Sequence, residues 1–559
     1  MSKIIEHSLL TTFLRLIPIR LSASFLKKLS AYFPNDPSLL AQIGTEELQH
    51  GNYEAALELL ERSIRIRPNQ PNAYFALGGV LEHFEKWSDA LSSYENAISF
   101  EPDMAVAHYK RGNMLSRLGR FEESLASYDR TIALNPNDAA AHNNRGIALY
   151  YLGRMNDALA SFGQVIALKP SADAYNNYAN ILRDLGRFDE ALFNYEQAIT
   201  LDPSHVNAHI NRSNTLREVG RPEEALDSID QIIKLDPHHA LANFNKACLK
   251  LLMGDYEEGF LLYEWRWQSG QIGNARNFTQ PLWLGYQPIS GKTLLIHAEQ
   301  GLGDTIQFCR YAPMAVALDA KVILEVPKPL VSLLSTLKGD IEVVEQGKPL
   351  PDFDLHCPMM SLPLAFRTTV QSIPADIPYL FADTEKKAYW AQKLGKKTKL
   401  RVGLVWSGGF RPNQPDTWSV NQRRNIPLSK LAEILTPDIA FYSLQKGEDA
   451  AAQLKALNAS FQGRFEVIDY TDEFGVFSDT AAFVDNLDLV IAVDTSTAHL
   501  AGALGKRVWL LNRYDTDWRW FTKGFDSPWY PTLTVFRQAQ MGDWSSVIFD
   551  VEKWLRDIA

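Results

Sequence analysis

The sequence predicts two architectures in one chain: an all-α superhelix of stacked helical repeats, then an α/β region of two lobes. Three observations predict this. Prolines recur through the first half at a fixed step, with Pro34, Pro68, Pro102, Pro136 and Pro170 each 34 residues apart. From about residue 291 onward, short apolar runs alternate with helical stretches. The length of 559 residues also exceeds what one core supports, at roughly 100–200 residues per domain.

The repeat half is read first, because a fixed period decides architecture before any local signal does. Pro203 follows Pro170 after 33 residues and Pro237 follows after 34, so one residue is missing just after Pro170 and a small local irregularity is expected there. Two further markers keep step. Gly51, Gly119, Gly153, Gly186, Gly220 and Gly254 form one series, with Glu85 filling the one gap. Ala56, Ala90, Ser124, Ala158, Ala191, Ala225 and Gly259 form the other. Each unit reads as two amphipathic helices. The glycine supplies a turn residue tolerant of positive φ, the alanine lets the helices approach, and the proline ends the second helix. No unit buries its apolar face alone, so neighbours must stack into a superhelix with a concave groove. About seven units are read, preceded by N-terminal helices, over residues 1–267. Residues 20–33 read as the second helix of a partial first unit.

One column of the repeats goes beyond scaffold. Asn144, Asn177, Asn211 and Asn245 occupy one position of the first helix in four successive units, where earlier units carry Lys110 and Ala76. Where that position faces the groove, an asparagine both donates and accepts toward the backbone of an extended peptide. The alternative is four solvated polar residues kept by duplication.

Composition narrows the function classes. Hydrophobic residues make up 46% and charged residues 22%, as in ordinary globular proteins. The net charge of −10 speaks against nucleic acid as a partner. Cys248, Cys309 and Cys357 are far apart with no metal-ligand spacing, which fits a reduced, cytoplasmic setting. No apolar run is long enough for a membrane span. The N-terminal "LLTTFLRLIPIRL" is interrupted by Arg15 and Arg20 and reads as a packing or dimer-forming helix rather than a signal segment. A homo-oligomer formed through the repeats is one consequence.

Residues 268–290 carry Gly, Pro, Asn and Gln and read as a connector. Beyond it, "TLLIHA", "KVILEV" and "FDLHCP" read as strands of a first lobe (291–385). "RVGLVW", "IAFYSL", "LDLVIAVD" and "RVWLLN" read as strands of a second (386–559), which ends in a helix. Fully apolar strands alternating with helices imply parallel sheets covered on both faces.

The ordered motifs carry a resemblance. The repeat unit "AAHNNRGIALYYLGRMNDALASFGQVIALKP" resembles the tetratricopeptide repeat in period and pattern. "HAEQGLGDTIQFCRY", "SLP", "VGLVWSGG", "SLQ", "DTAAFVDNLDLVIAVDTSTAHLAGALGKRVWLL", "DWRW" and "SPWYPTLTVFRQ" follow in that order. Together the two halves resemble bacterial proteins that join tetratricopeptide repeats to a domain similar to glycosyltransferase family 9, the family of the heptosyltransferases. Flagellin glycosyltransferases are among the repeat-fused members. The resemblance implies a GT-B domain of two Rossmann-like lobes facing a cleft, a nucleotide-sugar donor, and a protein acceptor, with flagellin one candidate. The asparagine column is similar to the superhelix of O-GlcNAc transferase. A glycolipid acceptor, or a scaffold whose transferase half has lost activity, are the alternatives.

Site residues follow from position and from the resemblance. Asp494 ends an apolar strand, and Thr495, Ser496 and Thr497 open the next helix. Free amides at a helix start, with the helix dipole, form an anion site, and ligands of open α/β sheets sit beyond the carboxyl ends of strands. His499, one turn further, reads either as a donor contact or as a structural histidine. In "QRRNIPL", the resemblance makes Arg424 the cation for donor phosphate, with Arg423 the alternative. Ser407 and Gly408 end another strand, and Gln445 or Lys446 stands near base or ribose. The resemblance makes Asp304 the catalytic base, with Gly303 leaving room for the acceptor and Glu299 in reserve. The other reading of Asp304 is a cap for a helix starting at Thr305. Asp515-Thr516-Asp517 is a DxD triplet, but it runs into "DWRW", and no metal or other cofactor is expected. Trp518, Trp520, Trp529 and Tyr530 read as core or interface ahead of a stacking role.

Overall fold

The computed structural model describes residues 32–271, 275–409, 422–463 and 466–558. The N-terminal segment with its expected helix, and most of the expected partial first repeat, lie outside the described residues. Contacts divide the chain into two compact units, Met1–Ala208 and His209–Ala559.

The first unit is a run of antiparallel helix pairs. In chain order they are α1 (Pro37–Gln49) with α2 (Tyr53–Ile66), α3 (Pro71–His83) with α4 (Trp87–Phe100), and α5 (Ala105–Arg117) with α6 (Phe121–Leu134). Then come α7 (Ala139–Tyr151) with α8 (Met155–Leu168) and α9 (Ala172–Asp184) with α10 (Phe188–Leu201). The turn glycines hold positive φ, for example 73° at Gly119, and Glu85 holds 55° where its unit lacks glycine. The alanine column is fully buried at Ala56, Ala90, Ala158 and Ala191. Ser124 replaces alanine there and satisfies its hydroxyl on the carbonyl of Gly112, at 2.8 Å.

A second close-packing device was not read from the sequence. Gly44, Gly78, Gly112 and Gly146 lie in the first helix of successive pairs. A Cβ on each would come within 3.0 Å of Leu60, Tyr94, Tyr128 and Phe162 of the partner helix. The residue missing after Pro170 is absorbed without disturbing the helices. The link from α8 to α9 is one residue shorter than that from α6 to α7, and Ser171 caps α9 by accepting from the amide of Ala174.

The second unit begins within α11 (Val206–Glu218) and continues through α12 (Pro222–Leu235), α13 (Ala240–Leu252) and α14 (Tyr256–Tyr263). The helical repeat pattern therefore runs on past the start of this unit. Its α/β part holds two parallel sheets. The first contains β1 (Thr293–His297), β2 (Lys321–Val326), β3 (Ile341–Glu345) and β4 (Leu355–Pro358) in the order β3-β2-β1-β4. The second contains β5 (Leu400–Val405), β6 (Ile439–Ser443), β7 (Ile468–Asp469), β8 (Leu489–Val493), β9 (Arg507–Asn512) and β10 (Leu533–Arg537). Its order, β10-β9-β8-β5-β6-β7, is the doubly wound order in which the chain starts centrally and reverses between its first and fourth strands. All seven expected strands form, and β3, β7 and β10 are additional.

Alternation along β5 and β8 sorts side chains into two cores. Val402, Leu404, Ile491 and Val493 face one layer, closed by Trp544, Val547, Val551 and Leu555 of the C-terminal helix α15 (Trp544–Ile558). Val405, Val490 and Ala492 face the other layer. This second core also takes in Ile296 and Leu324 of the first sheet and Tyr256, Phe260 and Tyr263 of α14. The last helical pair is thus part of the α/β core. The connector packs too. Trp283 and Ile289 are buried, and Trp283 N–H donates to the His356 carbonyl at 2.8 Å.

Candidate functional site

Each sheet offers a ligand site where its strand order reverses, at the carboxyl ends of β1 and β4 in the first sheet and of β5 and β8 in the second. The ends of β1, β5 and β8 border a shared cleft of about 550 Å³. The chain leaving β1 supplies Gln300 to Asp304, and Leu302–Phe308 forms a helix. The chain leaving β5 supplies Gly408 and Gly409. The chain leaving β8 supplies Asp494, Thr495 and Ser496, followed by the helix Ser496–Ala503.

The two short helices meet closely. A Cβ on Gly303 would stand 3.1 Å from Cδ2 of His499 and 3.5 Å from Cα of Ser496. Glycine at 303 therefore serves the close approach of the two helices. The helix start at Thr495 carries no side-chain cap, because the Thr495 hydroxyl turns back to the carbonyl of Val493 at 3.1 Å. Ser496 borders the cleft, and Thr497, half-buried in the same turn, does not.

Arginines separate by role. A Cβ on Gly408 would fall 2.1 Å from Nη2 of Arg424, so the Arg424 guanidinium lies flat against that glycine at the cleft wall. Arg423 is engaged elsewhere, donating to Asp515 at 3.1 Å and to Glu218 at 3.3 Å. Gly408 is held from behind: its amide donates to Oδ1 of Asn425 at 2.8 Å, and the Ser407 amide donates to Oε1 of Gln445 at 3.0 Å. Ser407 and Gln445 thus brace the turn without bordering the cleft. Lys446 is exposed and donates to the carbonyl of Phe474.

Asp304 stands in the first turn of its helix, which begins at Leu302 rather than at Thr305. Its Oδ2 accepts from the amide of Gly301 at 3.0 Å, and its Oδ1 accepts from Nη2 of Arg519. Arg519 also donates to Asp517 at 2.8 Å and to Gln307 at 2.9 Å, and stacks on Trp518 at 4.3 Å. One guanidinium therefore ties the acid of the first sheet to an acid beside the second. The DxD carboxylates are both committed to arginines, Asp515 to Arg423 and Asp517 to Arg519.

Burial dominates the electrostatics. It pushes the Asp494 carboxyl up, with Asp517 adding and Arg424 opposing. Burial also opposes ionisation of Asp517, but Arg519 beside it outweighs that and holds the carboxyl low. His499 is buried, pushed down to about 3 and so neutral. Its Nδ1 lies 3.0 Å from the Tyr530 hydroxyl, its ring stacks on Trp520 at 5.3 Å, and its Nε2 lies 3.8 Å from Asp494. Trp518, Trp520, Trp529 and Tyr530 are all buried, and of these Trp518 borders the cleft.

Glu299 turns away from the cleft. It accepts from Arg266 at 3.0 Å and from the Met360 amide at 3.2 Å, and burial pushes its carboxyl up to about 7 against the pull of Arg266. Burial likewise pushes the Cys248 and Cys309 thiols up, to about 11 and about 12, which leaves them unreactive.

In the repeats, the Asn144 amide donates to Asn113 at 2.9 Å and to the Tyr109 hydroxyl at 3.1 Å. The Asn177 amide donates to Asn143 at 3.3 Å. These carboxamides are half-buried, and each donates to a neighbouring repeat, Asn144 twice and Asn177 once. Asn211 and Asn245 are half-buried in the second unit.

Sequence reasoning missed three residues. Arg519 sits inside "DWRW", where the flanking tryptophans dominate the pattern. Asn425 gave no signal. Arg310, fully enclosed, joins the two sheet regions by donating to the carbonyl of Trp529 at 2.7 Å and to Tyr379 at 2.9 Å. Its signal was an arginine inside the apolar run "IQFCRYA".

Comparison with known proteins bears on the repeats. Residues 44–82 and 112–153 match the TPR repeat family, and residues 172–205 match the tetratricopeptide repeat. The N-terminal region is thus built of tetratricopeptide repeats. The chain is 29% identical over 341 residues to Protein FlbA of Caulobacter vibrioides, covering 56% of this chain and 54% of that protein. It therefore spans about half the length of the curated relative it matches. Among solved structures, it is 23% identical to YrrB, described as a TPR protein with an unusual peptide-binding site. That likeness covers 34% of this chain and 97% of YrrB, with a TM-score of 0.32. A thermophilic TPR protein of Thermus thermophilus is 24% identical, covering 32% of this chain and 98% of the other, with a TM-score of 0.26. Among the described residues, no helix is long and apolar enough to cross a membrane.

Proposed function

We propose that the chain is a glycosyltransferase of GT-B architecture that moves a sugar from a nucleotide-sugar donor to a Ser or Thr hydroxyl of a polypeptide held by the repeats. The observation that carries this reading is the cleft itself. Reversal points of two parallel sheets meet there, with an acid from one sheet facing an arginine and an uncapped helix start from the other. The sequence resemblance supports it and offers flagellin as one candidate acceptor.

The chemistry is a single displacement. The acceptor oxygen bonds to the anomeric carbon as that carbon's bond to the phosphate oxygen breaks. The hydroxyl proton passes to Asp304, and the nucleotide leaves with the bonding pair. Arg424 and the amides at the start of the Ser496–Ala503 helix meet the charge that develops on the phosphate. These groups supply the stabilisation without a metal. A carboxylate has about four acceptor sites, so the two bonds that orient Asp304 leave others for the proton.

The second reading is a scaffold without turnover. It is favoured by the engagement of both Asp304 oxygens, which a purely structural acid would also show. Nucleotide-sugar hydrolysis separates the two. Turnover by the full chain that drops at least about 100-fold in Asp304→Ala, with nucleotide binding kept, supports the transferase. Absence of turnover with UDP-, ADP-, GDP-, CMP- and dTDP-sugars favours the scaffold, and undiminished turnover in Asp304→Ala removes that residue from the mechanism.

A further inference from the structure

Part of the cleft lining is made by neither sheet. Arg217 of α11, Cys248 and Leu252 of α13, and Tyr263 of α14 form it. The helical repeats thus contribute directly to the cleft, and among these four side chains only Arg217 carries charge.

Arg217 is unlike the basic residues around it. Arg221 bonds Glu224 at 2.5 Å, Lys246 bonds Asp230 at 3.0 Å, and Lys250 bonds Asp255 at 3.0 Å. Among the described residues the Arg217 side chain makes no hydrogen bond or ion pair. The repeat register shows why. One unit earlier the same two positions are Arg183 and Asp184, which pair with each other at 3.2 Å. Here they are Arg217 and Glu218, but Glu218 is buried and its carboxylate is taken by Arg423 at 3.3 Å. The acid that could neutralise Arg217 is drawn to the α/β part, and the guanidinium is left facing the cleft. The other cleft cations have acids close by, Arg519 on Asp304 and Asp517, and Arg424 within electrostatic reach of Asp494.

We propose that Arg217 is a specificity residue that recognises a carboxylate on the acceptor polypeptide, close in sequence to the hydroxyl that receives the sugar. This rests on the transferase reading above, which puts the acceptor on the repeat side. A guanidinium binds a carboxylate by two parallel hydrogen bonds, and one with no protein partner has no existing ion pair to break first. The acceptor is therefore an acidic stretch around its Ser or Thr.

The test uses the full chain and fluorescein-labelled dodecapeptides of Ala and Gly with one central Ser. A single Asp is scanned through the flanking positions, with Asn as the matched neutral residue, and binding is followed by anisotropy. At one or two spacings the Asp peptide should bind about tenfold more tightly than its Asn counterpart, the lower range for a hydrogen bond to a charged group. Arg217→Gln should erase that preference, and Arg217→Lys should keep part of it. Equal binding of Asp and Asn peptides at every spacing overturns the proposal. So does a preference that survives Arg217→Gln, or a Gln variant that loses nucleotide-induced thermal stabilisation instead. If no nucleotide stabilises the wild type, the transferase reading fails, while the Asp-over-Asn comparison still decides Arg217.

Discussion

Replacing Gly408 by alanine tests the donor wall without touching a charged residue. The added Cβ would lie 2.1 Å from Nη2, 2.5 Å from Cζ and 2.7 Å from Nε of Arg424. Carbon and nitrogen atoms in contact normally sit about 3.5 Å apart or more, so the guanidinium must retreat by more than about 1 Å. That is enough to lose a hydrogen bond whose working range is only about 2.7–3.2 Å. A bond to a charged group contributes about 1.5–3 kcal/mol, which is roughly 10- to 100-fold in affinity. The yielding atoms are the far end of a flexible side chain, so the fold should lose less than about 1 kcal/mol. The assay is calorimetric titration of whichever of UDP, ADP, GDP, CMP and dTDP raises the melting temperature of the wild type. Arg424→Ala should show the same loss. The double variant should lose little more, because both changes remove one interaction. Wild-type affinity in Gly408→Ala, or losses that add in the double variant, would refute the proposed role of this wall.

Three further outcomes are expected. Arg423→Ala should leave nucleotide affinity unchanged but cost about 3 kcal/mol in chemical denaturation, because it strands the buried Glu218 and leaves Asp515 with the more distant Arg513, at 3.6 Å. Glu85→Gly should stabilise the repeats by about 0.5–1 kcal/mol, since relief of a left-handed residue outweighs the added freedom of glycine in the unfolded chain. A melting temperature no higher than that of the wild type would count against this. The raised carboxyl of Glu299 binds its proton more tightly in the folded chain than in the unfolded one. Its stabilising contribution is therefore complete below the ordinary carboxyl value of about 4.5 and is lost as pH rises through about 7. Melting temperature against pH should accordingly flatten across that window in Glu299→Gln, and an unchanged profile would exclude the effect.

The sequence by itself determined the elements whose signals are local or periodic. The 34-residue step, the turn glycines and the alanine column specify helix pairs, because each depends only on neighbours one or two helices away. The apolar runs at β1, β2, β4, β5, β6, β8 and β9 specify buried parallel strands for the same reason. β3 escaped notice because Glu342 and Glu345 break its apolar run, and β7 because it has only two residues. The strand-end positions that border the cleft were also legible, since the end of an apolar run is visible in one dimension.

Tertiary structure alone decided which of those positions share a space. Whether Arg423 or Arg424 reaches the cleft depends on where Glu218 and Asp515 lie, and these are hundreds of residues and tens of residues away in the chain. Arg519 reaches Asp304 across 215 positions, and no spacing rule relates residues that far apart. The end of the repeat pattern and the start of the second unit also differ. Periodicity records how helices stack on their neighbours, whereas Tyr256, Phe260 and Tyr263 are claimed by a core whose other members come from two sheets. A charge balance settled between such distant partners, as at Arg217 and Glu218, is written only in the folded chain.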